Sequence, residues 1–81
     1  MNLQLIQGNF DAKDALEIIT QMVSIKIRFH ENKITNSENE EDIKYRESKI
    51  KKLQNDLYGM RNFLLSNGNN INIEGEINLF N

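Results

Sequence analysis

Apolar residues recur at alternating steps of three and four between Ile43 and Leu64, with polar residues at nearly all positions between them. This spacing predicts a helix over residues 38–66 with one narrow apolar stripe, which suits a single neighbouring element. Arg46 interrupts the first turns of the stripe and presents a charge there, either to solvent or to a partner. Gly59 indicates close approach of another backbone, and Gly68 predicts the end of the helix.

A second apolar pattern precedes the first and covers a much wider part of its helix. At ~100° per residue, the apolar residues between Ala12 and Phe29 span roughly 200°. Asp11 offers a side-chain oxygen to the free amides of a first turn, so we expect a helix over residues 12–33. This helix has more apolar surface than the narrow stripe of the next helix can cover. Its candidate oligomer interface consists of Ile18, Ile19, Met22, Val23, Ile25 and Phe29.

A short polar segment connects the two predicted helices, as an antiparallel helix hairpin requires. Two overlapping capping boxes, Thr35 with Glu38 and Ser37 with Glu40, predict the start of the second helix. Three pairs of an acid followed four residues later by a base should support its exposed side. These pairs are Glu40–Lys44, Asp42–Arg46 and Glu47–Lys51.

The period of the apolar pattern changes from helical to two at both ends of the chain. Residues 2–7 alternate imperfectly up to Gly8–Asn9, which predicts a short strand that breaks at the glycine. After Asn69, odd-numbered positions up to Leu79 are apolar or glycine and even-numbered positions are polar. This alternation predicts a half-buried strand over residues 70–80. A tight hairpin centred on the glutamate and glycine in its middle, or an unstructured tail, are the alternatives.

These elements predict a mainly α fold, in which an antiparallel two-helix hairpin is flanked by short N- and C-terminal β-strands in the order β-α-α-β. The chain enters and leaves such a hairpin at the same end, so the two terminal strands are able to pair. A two-stranded ribbon is marginal alone, and so is the core of a chain of 81 residues. We therefore expect one domain over residues 1–81 that is completed by oligomerisation.

Composition narrows the possible functions. The chain has no cysteine, which excludes disulfides and thiolate zinc sites. Its net charge of −2 gives no general attraction to nucleic acid or to an anionic membrane. The N-terminus has no basic leader region, and no segment approaches the ~20 apolar residues of a membrane span. The simplest expectation is a cytoplasmic protein without membrane association.

Candidate chemistry is sparse. His30 is the only histidine, and without a second histidine or a cysteine we expect it to be structural. The acidic residues 38–42 lack the alternating oxygens of a calcium loop and are expected to complement the helix dipole. The serines have no partnered base, and the isolated glycines form no phosphate loop. We therefore expect no catalytic residue, no metal site and no cofactor.

A basic run on the second helix is the one candidate surface for nucleic acid, and it consists of Lys44, Arg46, Lys49, Lys51 and Lys52. At helical spacing these side chains point around most of the circumference, which favours a solvated face. The order strand, helix, helix is shared with ribbon-helix-helix repressors, whose dimeric ribbon enters the major groove. Here the first strand carries no lysine or arginine, both helices are about twice as long as in that fold, and a second strand follows them. The resemblance is therefore one of element order.

Two functional hypotheses follow. The favoured one is a non-enzymatic protein–protein interaction module, a homodimer or higher oligomer that binds a further protein through a helix face or a sheet edge. Exposed aromatic residues often mark such contacts, and the candidates here are Tyr45, Tyr58 and Phe63, unless they pack against the terminal strands. The alternative is a small nucleic-acid-associated regulator that uses the basic run. A small-molecule pocket between the helices of a dimer is a third possibility, which the sequence neither supports nor excludes.

Overall fold

Two helices and two antiparallel strands make up the computed structural model, which describes residues 1–81. The elements are β1 (Asn2–Asp11), α1 (Ala12–Thr35), α2 (Glu40–Asn67) and β2 (Asn70–Asn78). The predicted β-α-α-β order is confirmed. The bounds of both helices lie within two residues of the predicted ones, because helical periodicity and end signals agree there.

Each helix begins at a capping side chain. Asp11 Oδ1 accepts a hydrogen bond from the amide of Asp14 at 2.8 Å, as the sequence predicts for α1. Asn39 caps α2, since its Oδ1 accepts hydrogen bonds from the amides of Glu41 and Asp42 at 2.9 and 3.2 Å. Neither predicted capping box forms. Ser37 Oγ accepts from the amide of Asn39 at 3.2 Å, and Thr35 Oγ1 donates back into the last turn of α1.

Two glycines of the α2 region behave differently. Gly68 ends the helix with a φ of 63°, and its amide donates to the carbonyl of Leu64 at 2.9 Å. This confirms the predicted end of α2, since glycine adopts the left-handed conformation without steric cost. No heavy atom lies within 4 Å of the position where a Cβ of Gly59 would stand. The predicted close approach of another backbone at Gly59 is therefore wrong within this chain.

The two strands pair antiparallel within the chain along almost their whole length. This pairing replaces both alternatives for the C-terminal segment, the tight hairpin at Glu74–Gly75 and the unstructured tail. β1 is longer than the predicted strand over residues 2–7. It continues through Gly8, which lies opposite Ile73 with a φ of 148°. Glycine has no Cβ to oppose that φ, so the strand does not break there.

A β-bulge changes the phase of β1. Gln4 lies opposite Glu76 and Ile6 lies opposite Gly75, so Leu5 has no partner. Because of the extra residue, the side chains of β1 before the bulge point to the face opposite to the one that simple alternation would give. One face of the ribbon is therefore apolar throughout. This apolar ribbon face consists of Leu3, Ile6, Gly8, Phe10, Ile71, Ile73, Gly75 and Ile77.

The chain buries very little of itself. Only Ala15, Leu64 and His30 are buried, and contacts between the ribbon and the helices are few. Exposure of the apolar ribbon face increases away from the helices, and Ile77 near the tip is 40% exposed. The radius of gyration is 15.2 Å, whereas a compact domain of this length has one of about 12 Å. A single copy is thus an extended molecule that leaves apolar surfaces open.

Candidate functional site

The exposed flank of α1 is the first candidate surface. Of the six residues proposed as an interface, Ile25 and Phe29 are 64% and 52% exposed. The other four, Ile18, Ile19, Met22 and Val23, are half-buried. The buried residues Ala15 and His30 mark the line that faces α2, and Ile25 and Phe29 lie roughly 70–110° away from it. The apolar arc of α1 is thus wider than α2 covers.

Three aromatic side chains of α2 are also exposed. Tyr45, Tyr58 and Phe63 are between 56% and 68% exposed, so the terminal strands do not cover them. Near the loop end of the hairpin, lysines lie over one aromatic ring of each helix. Lys33 Nζ is 5.6 Å from the centroid of Phe29, and Lys49 Nζ is 5.3 Å from that of Tyr45. The loop end therefore presents aromatic rings next to cations.

A polar pair connects the two helices beneath this surface. Arg46 Nη1 donates to Nδ1 of His30 at 3.0 Å, and the guanidinium carbon lies 5.6 Å from the centroid of Phe29. Because arginine is always a donor, Nδ1 accepts and the proton of the neutral ring is on Nε2. His30 Nε2 and Arg46 Nε are buried without a hydrogen-bond partner. Asp42 Oδ1 lies 3.6 Å from that Arg46 nitrogen, which makes an ion pair without a hydrogen bond.

The surroundings of His30 keep its ring neutral. Burial lowers the pKa of His30 below its ordinary value of 6.5, and the nearby cations Arg46, Lys26 and Lys49 lower the pKa further. A protonated ring would also lose the lone pair that accepts from Arg46. The structural role expected for His30 agrees with this geometry, because a neutral, enclosed ring joins the two helices.

The basic run on α2 does not form one surface. Arg46 is directed at α1, Lys49 lies over Tyr45, and Lys52 pairs with Asp56 at 3.2 Å. Lys44 and Lys51 are exposed and form no ion pair. Of the three predicted pairs on α2, only Asp42–Arg46 forms. The predictions of Glu40–Lys44 and Glu47–Lys51 are wrong, because long exposed side chains gain too little from such a pair to be held in one geometry.

Sequence reasoning missed that α1 also supplies cations around Phe29 and His30. Lys26 and Lys33 lie one turn before and one turn after the pair Phe29–His30, and both approach it. The signal was present in their spacing, since residues three or four apart share a helix face. The spacing alone could not show that these lysines approach Arg46, because that also depends on how α2 packs against this face of α1.

The structure offers no enclosed pocket. Its largest cleft, about 370 Å³, is shallow and mainly apolar, and Ala12, Leu16, Leu64 and Leu65 line it with the stem of Lys13. No three histidine, cysteine or acidic side chains come together as metal ligands would. Neither helix carries an apolar stretch of the length that crossing a bilayer requires.

No protein-family model, curated protein or solved structure matches the chain. The exposed surfaces of the molecule are therefore the features that bear on its function. Besides the flank of α1, the apolar ribbon face is a second exposed apolar surface. It ends in Met1 and Leu79, which are 80% and 56% exposed.

Proposed function

We propose that this chain is a non-enzymatic protein–protein interaction module that works as a homodimer or higher oligomer. In the assembly, the exposed flank of α1 packs against the corresponding flank of a second copy. Ile25 and Phe29 form the centre of the contact, with Ile18 and Met22 beside them. Cofactors and catalytic residues have no part in this proposal.

The accessible surface of one copy carries the proposal. It amounts to 6549 Å², whereas a compact monomer of 9.5 kDa exposes about 5,000 Å². The excess of about 1,500 Å² per chain lies above the ~800 Å² per partner of a standard interface and within the range of obligate homodimers. Association through the exposed apolar flank would remove part of this excess from water.

The apolar flank of α1 suits a second copy of the chain better than it suits a strongly charged partner. A twofold contact brings the same patch of both copies together, so it needs only one apolar patch. The centre of the α1 flank is apolar, as the centre of an interface usually is. A net charge of −2 per chain adds little repulsion between copies.

Light scattering coupled to size-exclusion chromatography tests the proposal. Across a dilution series, we expect a mass of about 19 kDa or a larger multiple of 9.5 kDa, falling only at high dilution. Circular dichroism at each concentration separates dissociation from unfolding. A folded protein of 9.5 kDa at every concentration would contradict the proposal.

A further inference from the structure

The two outer edges of the ribbon differ in their capacity to pair with another strand. The edge of β1 is interrupted by the bulge at Leu5 and by the unusual φ of Gly8. Bulges of this kind twist an edge away from further pairing. β2, by contrast, runs from Asn70 to Asn78 without a bulge, a proline or a basic residue. It is therefore the open edge of the sheet.

The hydrogen-bond pattern shows which groups this open edge offers. Met1 and Leu79 exchange two backbone hydrogen bonds of 2.7 Å. In an antiparallel ladder the direction alternates with each residue, so odd-numbered residues of β2 point their N–H and C=O groups toward β1. The even-numbered residues point theirs to the outer side of β2, where the two-stranded sheet has no further strand. They belong to Asn70, Asn72, Glu74, Glu76 and Asn78.

We infer that β2 pairs with β2 of a second copy, antiparallel about a twofold axis at Ile73. The result is a four-stranded sheet with β1 on both outer edges and the two β2 strands in the centre. The inference rests on the self-association proposed above and adds the surface and the register. A two-stranded ribbon is marginal in water, whereas four strands fall within the usual range for a sheet.

The glutamates of β2 select this register. A twofold axis normal to the sheet keeps apolar residues on one face only when it passes through a pair of identical residues. An axis at Glu74 places two carboxylates directly opposite each other, and an axis at Gly75 places Glu74 opposite Glu76. Like charges in these positions are destabilising. With the axis at Ile73, Glu74 lies opposite Asn72 of the second copy, and Glu76 lies opposite Asn70.

The register at Ile73 also suits both faces of the sheet. Ile71 and Ile73 of the two copies join one apolar face, while the asparagines and glutamates form the polar one. The even-numbered residues that point outward become the hydrogen-bonded pairs, so the open backbone groups of Asn70–Glu76 gain partners. An axis at Asn72 also keeps the carboxylates apart, but it shortens the paired segment.

The β2 contact and the α1 flank define the symmetry of the assembly. When both lie on one twofold axis, two copies satisfy them and the assembly is a dimer. When they lie on two perpendicular, intersecting axes, a closed tetramer satisfies them. In either case the same residue, Ile73, meets its copy at the axis of the sheet.

Cysteine cross-linking tests the register directly, because the natural chain contains no cysteine. The axis pair is not hydrogen-bonded, so the two Cα atoms of residue 73 lie about 4.5 Å apart, close enough for a disulfide. Ile71→Cys is the matched control, since its side chain is on the same face and similarly half-buried. The Cα atoms of its two copies would lie about 14 Å apart, too far for a disulfide.

Under mild oxidation we expect Ile73→Cys to form a covalent dimer about tenfold faster than Ile71→Cys. Equal rates in two variants that retain the oligomeric mass would overturn the β2 register and leave the proposed self-association intact. A monomeric mass for the wild-type protein would overturn both. These outcomes separate the two proposals.

Amide hydrogen exchange gives a second measurement that needs no substitution. In the proposed sheet, the amides of Asn72 and Glu74 donate across the axis and should exchange as slowly as that of Ile73, which bonds to β1. In an unpaired ribbon the first two face solvent and exchange much faster. Fast exchange at Asn72 and Glu74 in the oligomer would overturn the inference.

Discussion

Arg46 on α2 donates from Nη1 to Nδ1 of His30 on α1 at 3.0 Å, and it does so within the stripe along which the helices pack. Each residue interrupts the apolar pattern of its own helix, and the interruptions lie opposite each other. A shift of one helix along the other would leave both polar groups buried without this contact. The pair therefore specifies the alignment of the hairpin, as a single polar pair does in many helical assemblies.

Replacing Arg46 with methionine tests that role. Methionine keeps most of the apolar stem but leaves Nδ1 of His30 without its donor, so we expect the free energy of unfolding to fall by about 1–2 kcal/mol. Urea titration followed by circular dichroism measures the change. Arg61→Met is the control, because Arg61 is exposed on the same helix and forms no ion pair. Equal effects of the two substitutions would contradict the role assigned to Arg46.

Acidification should destabilise the hairpin through His30. Its pKa is lowered in the folded protein by burial and by Arg46, Lys26 and Lys49. The unfolded state therefore takes up the proton first as the pH falls below 6.5, and stability decreases from that point downward. Urea midpoints at about pH 7.5 and about pH 5.5 report the effect before carboxylates titrate. His30→Gln should remove this pH dependence. If the urea midpoint of that variant still falls by the same amount between the two pH values, a group other than His30 causes the effect.

The hairpin was predictable because its signals are long and redundant. The apolar stripe of α2 repeats over many turns, and it packs against part of the wide apolar arc of α1. Asp11 and Gly68 end these patterns with residues whose chemistry suits the ends. The face of β2 was predictable for the same reason, since an alternation that extends from Asn70 to Leu79 tolerates no shift of register.

Features that depend on a single residue or on a partner element were not predictable. The bulge at Leu5 places Leu3 and Ile6 on the same face of the ribbon, although strict alternation would place them on opposite faces. Only the pairing with β2 requires them to share a face, so the sequence of β1 alone does not predict the bulge. Asn39 competes with Ser37 as a cap for α2, and the two residue types are nearly equivalent as caps. The contact between Arg46 and His30 needed both helices in place, although the sequence showed that Arg46 interrupts the stripe.

Two glycine substitutions of the same chemistry should have opposite effects. Gly59→Ala should raise the free energy of unfolding by about 1 kcal/mol, since alanine favours a helix interior and has free space at this position. Gly68→Ala should lower it by about 1 kcal/mol, because residue 68 has a positive φ. Thermal and urea unfolding measure both. A loss of oligomeric mass in Gly59→Ala would show that a second copy approaches α2 at that glycine.

Binding to nucleic acid is expected to be negligible even at low salt. Arg46 is directed at His30 and Lys52 is paired with Asp56, so few cations remain free on one side of α2. Fluorescence anisotropy of a labelled DNA duplex of about 20 base pairs measures the affinity. Binding that weakens steeply with added salt, and that Lys51→Glu reduces, would instead support a nucleic-acid-associated regulator.

Ile25→Asp should lower the oligomeric mass while the helices stay folded. Ile25 is 64% exposed in one copy, so a carboxylate there remains hydrated in the monomer and becomes costly only when a second copy covers it. Light scattering should show a dissociation constant at least about tenfold higher than that of the wild type.

Ile19→Asp provides the contrast, because Ile19 is half-buried near the line that faces α2 and its replacement should reduce helicity as well. Lys51→Glu, on the exposed side of α2, should change neither quantity. If Ile25→Asp keeps both its mass and its helicity, the flank of α1 is not the interface.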